Sequence, residues 1–202
     1  MSVYQVNYES GLDLSRGDRL SDFSFPWLSR ECPATSFRAV WNERVFAFRF
    51  EAEDHDLVLG EGGDSGKAAL GSDRVELFFA SSPDLEKPYY GAEMDPAGRV
   101  YDYAATTYRQ INPRWSFSTL IFSGRIHDSG YVVSGQIELE ELRKLDLLVE
   151  NKMTVGVYRA EFSHHREGGI DEDWISWIDP GTEKPDFHVP SSFGQFHFIK
   201  TS

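Results

Sequence analysis

The 202-residue sequence is poor in cysteine, in basic residues and in long apolar runs. Cys32 is the single cysteine, so an intrachain disulfide and a zinc site built from several cysteines are both excluded. No run approaches the roughly 18 apolar residues of a membrane-spanning helix, and the N-terminus lacks the basic and apolar regions of a secretory signal. We therefore expect a cytoplasmic protein as the chain stands, or an extracellular or periplasmic one if a signal peptide has been removed.

Positive charge is scarce as well. The chain carries 20 Lys and Arg against 33 Asp and Glu, which gives a formal net charge of −13 at pH 7. Nucleic acids and anionic membranes are bound by positive surfaces, so neither is expected as a partner. The oligomeric state does not follow from these counts.

The sequence is instead rich in aromatic residues and in strand patterns. Aromatic residues make up 14% of the chain, and segment 45–51 alternates strictly between phenylalanine and other residues. Segment 36–41 precedes it across a short polar connection, which predicts a hairpin. Segments 89–95 and 99–105, joined by Pro96-Ala97-Gly98, predict another. Further predicted strands cover 73–79, 118–126, 131–139, 153–162, 174–178 and 194–199.

One segment alone has helical spacing, because leucines recur every three residues from Leu139. We predict one short helix near 139–148 and long loops over 55–72 and 164–173. About ten short strands and one helix favour an all-β fold, a single antiparallel β-sandwich. One domain is expected to cover residues 1–202.

Three segments together carry a resemblance to a known family. They are FSFPW at 23–27 with PATSFRAVWN at 33–42, SDRVELFF at 72–79 with YYGAEMDPAGRVYD at 89–102, and WISWIDP at 174–180 with PDFHVPSSFG at 185–194. In order and spacing the chain resembles the family 9-like carbohydrate-binding modules, found in xylanases and as free-standing bacterial proteins. The resemblance implies a β-sandwich of immunoglobulin-like or jelly-roll type that binds glycan chain ends, such as those of xylan, without catalysis.

The resemblance also places the family's sugar-binding positions on this sequence. The glutamate of the family's acidic strand falls on Glu76, and the tryptophan of the last loop falls on Phe187. The family's second clamp tryptophan falls near Leu70, where no aromatic stands, and a sugar-binding arginine falls on Glu93. Half of the aromatic clamp is therefore missing, and the sugar specificity of the family does not transfer.

Aromatic faces and carboxylates are the groups that recognise sugars, through stacking and hydrogen bonds to hydroxyls. Trp174 and Trp177 are three residues apart on a predicted strand and face opposite sides, so we assign Trp177 to the core and Trp174 to the ligand. Glu93 and Tyr89 share a strand face that adjoins Glu76 if the strands pair. The candidate binding residues are Glu76, Glu93, Tyr89, Trp174, Phe187 and His188.

Acidic residues gather around the glycine-rich loop after residue 53. Oxygen ligands suit calcium, and the resemblance suggests a structural calcium ion held by Asp54, Asp56 and Asp73, although no cofactor is required. Acidic loops are also commonly just solvated.

Three alternatives to the binding module stay open at this point. A divergent glycoside-active enzyme would need two inward carboxylates in a deep pocket. A small-molecule or haem-binding sandwich module would need an apolar cavity with a His or Met ligand. An interaction domain with a decayed sugar site is compatible with the missing tryptophan.

Overall fold

The computed structural model describes residues 2–200, and its regular structure is mostly β-strand, as predicted. Strands β1 to β6 span Val3–Tyr8, Thr35–Trp41, Val45–Glu53, Arg74–Ala80, Tyr89–Met94 and Val100–Thr106. Strands β7 to β12 span Gln110–Asn112, Ile121–His127, Gly130–Glu138, Lys152–His164, Ile170–Ser176 and Gly194–Ile199. Helices α1 and α2 span Ser65–Leu70 and Leu139–Lys144, and short 3-10 turns span Leu14–Arg16 and Pro190–Ser192.

The strands form one curled sheet in the order β7-β6-β5-β4-β10-β12-β1-β2-β3-β9-β8, with β11 paired to the second half of β10. This arrangement confirms the all-β sandwich prediction. Most pairings are antiparallel, but β1 pairs in parallel with both β12 and β2. Strand β1 was not predicted, although Tyr4 and Val6 alternate with Gln5 and Asn7 and are buried.

Both predicted hairpins form. Phe37 pairs with Phe50 in the first, and Phe46, Phe48 and Phe50 are fully buried in the core. In the second hairpin the Asp95 carboxylate accepts the backbone N–H groups of Ala97 and Arg99, which fixes the tight turn. Trp177 is buried in the main core, as predicted.

Two predicted loops contain regular structure. Segment 164–173 belongs to a hairpin. Strand β10 continues to His164, β11 begins at Ile170, and the turn covers 165–169. Segment 55–72 contains α1, which begins after Asp64, whose side chain accepts the Lys67 N–H. The predicted helix near 139–148 ends as α2 at Lys144. Among residues 2–200, neither helix is long or apolar enough to cross a membrane.

Candidate functional site

Three charged side chains lie side by side on one face of strands β4 and β5. Glu76 and Glu93 are cross-strand partners, and Arg74 is two residues before Glu76, on the same face. Arg74 Nε donates a 2.8 Å hydrogen bond to Glu93 Oε2, and Arg74 Nη2 lies 3.0 Å from Glu76 Oε1. All three side chains are buried, so the sheet carries a charged cluster beneath the surface.

Burial makes this cluster unusual electrostatically. Desolvation, with the Glu93 charge adding to it, raises the pKa of Glu76 well above its ordinary value, and Arg74 opposes that rise only in part. Glu76 Oε1 lies 3.0 Å from Arg74 Nη2 but makes no hydrogen bond, and the buried Tyr103 hydroxyl also lacks a hydrogen-bond partner. Buried polar atoms are almost always satisfied, so these two atoms are exceptions.

A cavity of about 330 Å³ opens over this cluster. Among its aromatic lining residues, Trp174 and Tyr101 keep exposed surface, whereas Phe78 and Phe187 are buried. Tyr101 on β6 pairs with Glu93, and Trp174 on β11 pairs with Ala160, the partner of Arg74. The charged residues therefore lie between two half-exposed rings on the same sheet face.

Two glycines of the sheet leave room for the rings of two buried tyrosines beside the site. A Cβ at Gly91 would lie 2.4 Å from Tyr103 Cζ, and one at Gly156 would lie 2.0 Å from the Tyr158 hydroxyl. Both tyrosines are fully buried and lie over these glycines as a support for the site. Larger residues there would displace the rings.

A loop between β11 and β12 covers one side of the cavity. Phe187 stacks flat on Tyr158, with ring centroids 4.1 Å apart, and His188 Nδ1 is 2.9 Å from the Tyr89 hydroxyl. Burial lowers the pKa of His188 to about 4, with nearby Arg109 acting in the same direction, so the imidazole is neutral at pH 7. Phe187 thus serves as a support, because Tyr158 occupies one of its faces.

The rim of the cavity is tied to the β6–β7 hairpin through one carboxylate. Asp186 accepts hydrogen bonds from the Tyr108 hydroxyl at 2.5 Å, from Arg109 at 3.2 Å and from the His188 backbone at 2.9 Å. These contacts join two segments that are 77 residues apart in sequence. The cavity wall is therefore held in place before any ligand arrives.

Comparison with known proteins now assigns the chain to a family. Residues 21–201 match the family model described as carbohydrate family 9 binding domain-like. The chain belongs to this family. The resemblance of three sequence segments predicted this family. The family consists of binding domains rather than catalytic ones. No curated protein matches the chain.

Solved structures show the same fold as this family 9-like domain. A candidate carbohydrate-binding protein from Bacteroides uniformis aligns with a TM-score of 0.73 at 16% identity, over 98% of this chain and 99% of that one. A family 9 carbohydrate-binding module from Caldicellulosiruptor kristjanssonii in complex with cellotriose aligns at 0.62 and 13% identity, over 100% and 95%. The glucose complex aligns at 0.59 and 13% identity, over 100% and 97%.

The structure brings most of the predicted binding residues together. Glu76, Glu93, Trp174, Phe187 and His188 all line the cavity. Tyr89 does not reach it and is fully buried, so its predicted direct contact with ligand is replaced by a hydrogen bond that holds His188. Leu70, the position on which the sequence resemblance places the second clamp tryptophan, also lines the cavity.

Sequence reasoning missed Tyr101, Arg109 and Asp186 as lining residues. The signal for Tyr101 was available, because a hairpin turning at 96–98 pairs Tyr101 with Glu93. No such signal existed for Arg109 and Asp186, since their contact depends on how two distant loops pack.

The predicted metal ligands are separated in the structure. Asp54 and Asp73 lie together with Glu161, their carboxylate oxygens within 4.8 Å of one another, whereas Asp56 pairs with His164 instead. Burial raises the pKa of Asp73 to about 7 and that of Glu161 to about 8.

A buried arginine shares this carboxylate cluster. Arg159 pairs with Glu161 and lies 3.7 Å from Asp54 Oδ2, and the two Asp73 oxygens accept the Val58 and Phe162 N–H groups. The oxygen donors suit calcium. The guanidinium beside them would repel the ion, so the cluster as a whole does not fit it.

Proposed function

We propose that the chain is a non-catalytic carbohydrate-binding module that takes the end of a neutral glycan chain in the cavity over Arg74, Glu76 and Glu93. The observation that carries this proposal is the buried Glu76 Oε1, which is ion-paired with Arg74 but makes no hydrogen bond, beneath the half-exposed rings of Trp174 and Tyr101. A carboxyl oxygen can bind a sugar hydroxyl, and a flat ring can pack against the apolar C–H face of a pyranose. The site is concave and preformed, as small-ligand sites usually are.

The charges around the cavity favour a neutral ligand. Arg74 is balanced by Glu93 and Glu76, and Arg109 is balanced by Asp186. The net charge of −13 adds long-range repulsion against polyanions. The cellotriose and glucose complexes of the Caldicellulosiruptor modules support a glucan or a similar neutral glycan. Xylan, and association with a xylanase, belong to this proposal through the family resemblance.

Hydrolysis is the alternative that the paired glutamates raise. A glycosidase needs one carboxyl group as acid and another as nucleophile or base, each free to act on the substrate. Glu93 instead accepts a hydrogen bond from Arg74, whose guanidinium also contacts Glu76. This sharing supports a binding role for both.

Calorimetric titration with glucose, cellotriose and xylotriose tests the proposal. We expect dissociation constants from high micromolar to millimolar, equivalent to about 4 to 6 kcal/mol. Glu76→Gln should weaken binding at least fivefold, whereas Glu86→Gln, on an exposed turn, should leave it unchanged. Absence of binding to all three sugars by the unmodified protein would overturn the proposal.

A further inference from the structure

A second cavity lies on the other side of Trp174. It measures about 340 Å³, and Trp174 and Pro185 line both this cavity and the one over Glu76. Its remaining lining residues include Trp27, Leu28, Glu172 and Glu183. A ligand that leaves the first cavity across Trp174 therefore enters the second directly.

Two tryptophans of this cavity keep exposed surface and lie close together. Trp27 and Trp174 both pack on Phe187, with ring centroids 5.7 and 6.0 Å from it. The two indoles are consequently no more than about 12 Å apart. The cavity that both indoles line measures about 340 Å³, which is within the volume range of small-ligand sites.

The Trp27 platform is fixed before binding. Its indole Nε1 donates a 2.8 Å hydrogen bond to the Thr182 carbonyl. Ser24, three residues earlier, exchanges two 3.0 Å backbone hydrogen bonds with Ser176 on β11. A platform already held in place costs little conformational entropy on binding.

Polar groups at the edge of the second cavity match a hydroxyl-rich ligand. Glu172, Glu183 and Lys184 are exposed there and offer acceptors and donors. A sugar ring presents apolar C–H faces and a polar perimeter, and this cavity combines indole faces with a polar edge in the same way.

We infer that the space between Trp27 and Trp174 is a second saccharide subsite, which binds the next unit of a neutral glycan whose terminal unit occupies the first cavity. The inference rests on the proposed function, because the first cavity must bind sugar. It assigns Trp27 the role of recognising chain length rather than the terminal sugar.

Titrations of glucose and cellotriose against the unmodified chain and two variants test this inference. The unmodified chain should bind cellotriose about tenfold more tightly than glucose, which corresponds to the free energy of one stacking contact. Trp27→Leu should remove this advantage while glucose affinity stays within twofold. Trp27→Phe should keep a large part of it, because a ring remains although the indole N–H is lost.

The outcomes separate the two proposals. The subsite alone would be overturned if Trp27→Leu binds glucose and still binds cellotriose about tenfold more tightly. It would also be overturned if Trp27→Leu loses affinity for both sugars equally. No binding of either sugar by the unmodified chain would overturn the proposed function and the subsite with it. In an NMR spectrum, the Trp27 indole N–H signal, identified by its loss in Trp27→Phe, should shift with cellotriose and not with glucose.

Discussion

Glu76 and Glu93 lie directly opposite each other on β4 and β5, and one guanidinium, that of Arg74, contacts both carboxyl groups. Two buried carboxyl groups this close cannot both carry a charge without a cation, so Arg74 makes the site possible. The same cluster leaves one Glu76 oxygen without a hydrogen bond. If the proposed function holds, stability and recognition depend on the same three side chains.

Removing the charge of Arg74 should strongly destabilise the fold. Arg74→Met leaves Glu76 and Glu93 buried without a cation, and breaking such a buried pair typically costs about 3 to 5 kcal/mol. Urea denaturation measures the change in the free energy of unfolding. Arg16→Ala, which breaks an exposed pair with Glu9, should cost less than about 1 kcal/mol. Equal effects of the two substitutions would contradict the role of Arg74.

The raised pKa of Glu161 predicts how stability depends on pH. Its pKa is about 8 in the folded chain, chiefly through burial, against an ordinary value of 4.5. A group whose pKa is raised by folding favours the folded state below its unfolded pKa, and this contribution is lost as pH rises through the folded value. The free energy of unfolding should therefore lose up to about 4 kcal/mol through Glu161 between pH 4.5 and 8.

Glu161→Gln should remove that part of the pH dependence, because an amide does not titrate. The free energy of unfolding of each protein is plotted against pH from 4.5 to 8, and the slopes for the variant and the unmodified chain are compared. Groups far from Glu161, such as His188 with its lowered pKa, affect both proteins equally. Parallel stability curves for the two proteins would contradict the prediction.

Calcium should not stabilise the unmodified chain. Arg159 already provides the positive charge for Asp54, Asp73 and Glu161, so the melting temperature should be the same in calcium and in EDTA. Arg159→Gln removes that charge and should lower the melting temperature, and calcium should restore part of the loss. A lower melting temperature of the unmodified chain in EDTA would contradict this prediction.

Patterns local in sequence predicted the fold well. The alternation at 45–51 predicted a buried strand face, and the tight turn at 96–98 predicted the hairpin in which Glu93 lies beside Tyr101. Strand β11 was predicted too short because Asp171 and Glu172 are exposed on a hairpin arm without apolar alternation. The contacts of Arg74 with Glu93 and of Arg159 with Asp54 join different strands or segments, and they depend on tertiary packing that periodicity does not contain.

Tyr101 should contribute to sugar binding through its ring. It is half-exposed, lines the cavity opposite Trp174 and packs on Tyr103 with ring centroids 5.2 Å apart. Tyr101→Leu keeps an apolar side chain on Tyr103 but loses the flat face, and glucan affinity should fall about three- to tenfold. Tyr101→Phe keeps the face and should bind within about twofold of the unmodified chain. Calorimetry gives the affinities, and thermal unfolding confirms that both variants fold. If both variants bind as tightly as the unmodified chain, the ring face is not used. If both lose affinity to the same extent, the contribution comes from the hydroxyl.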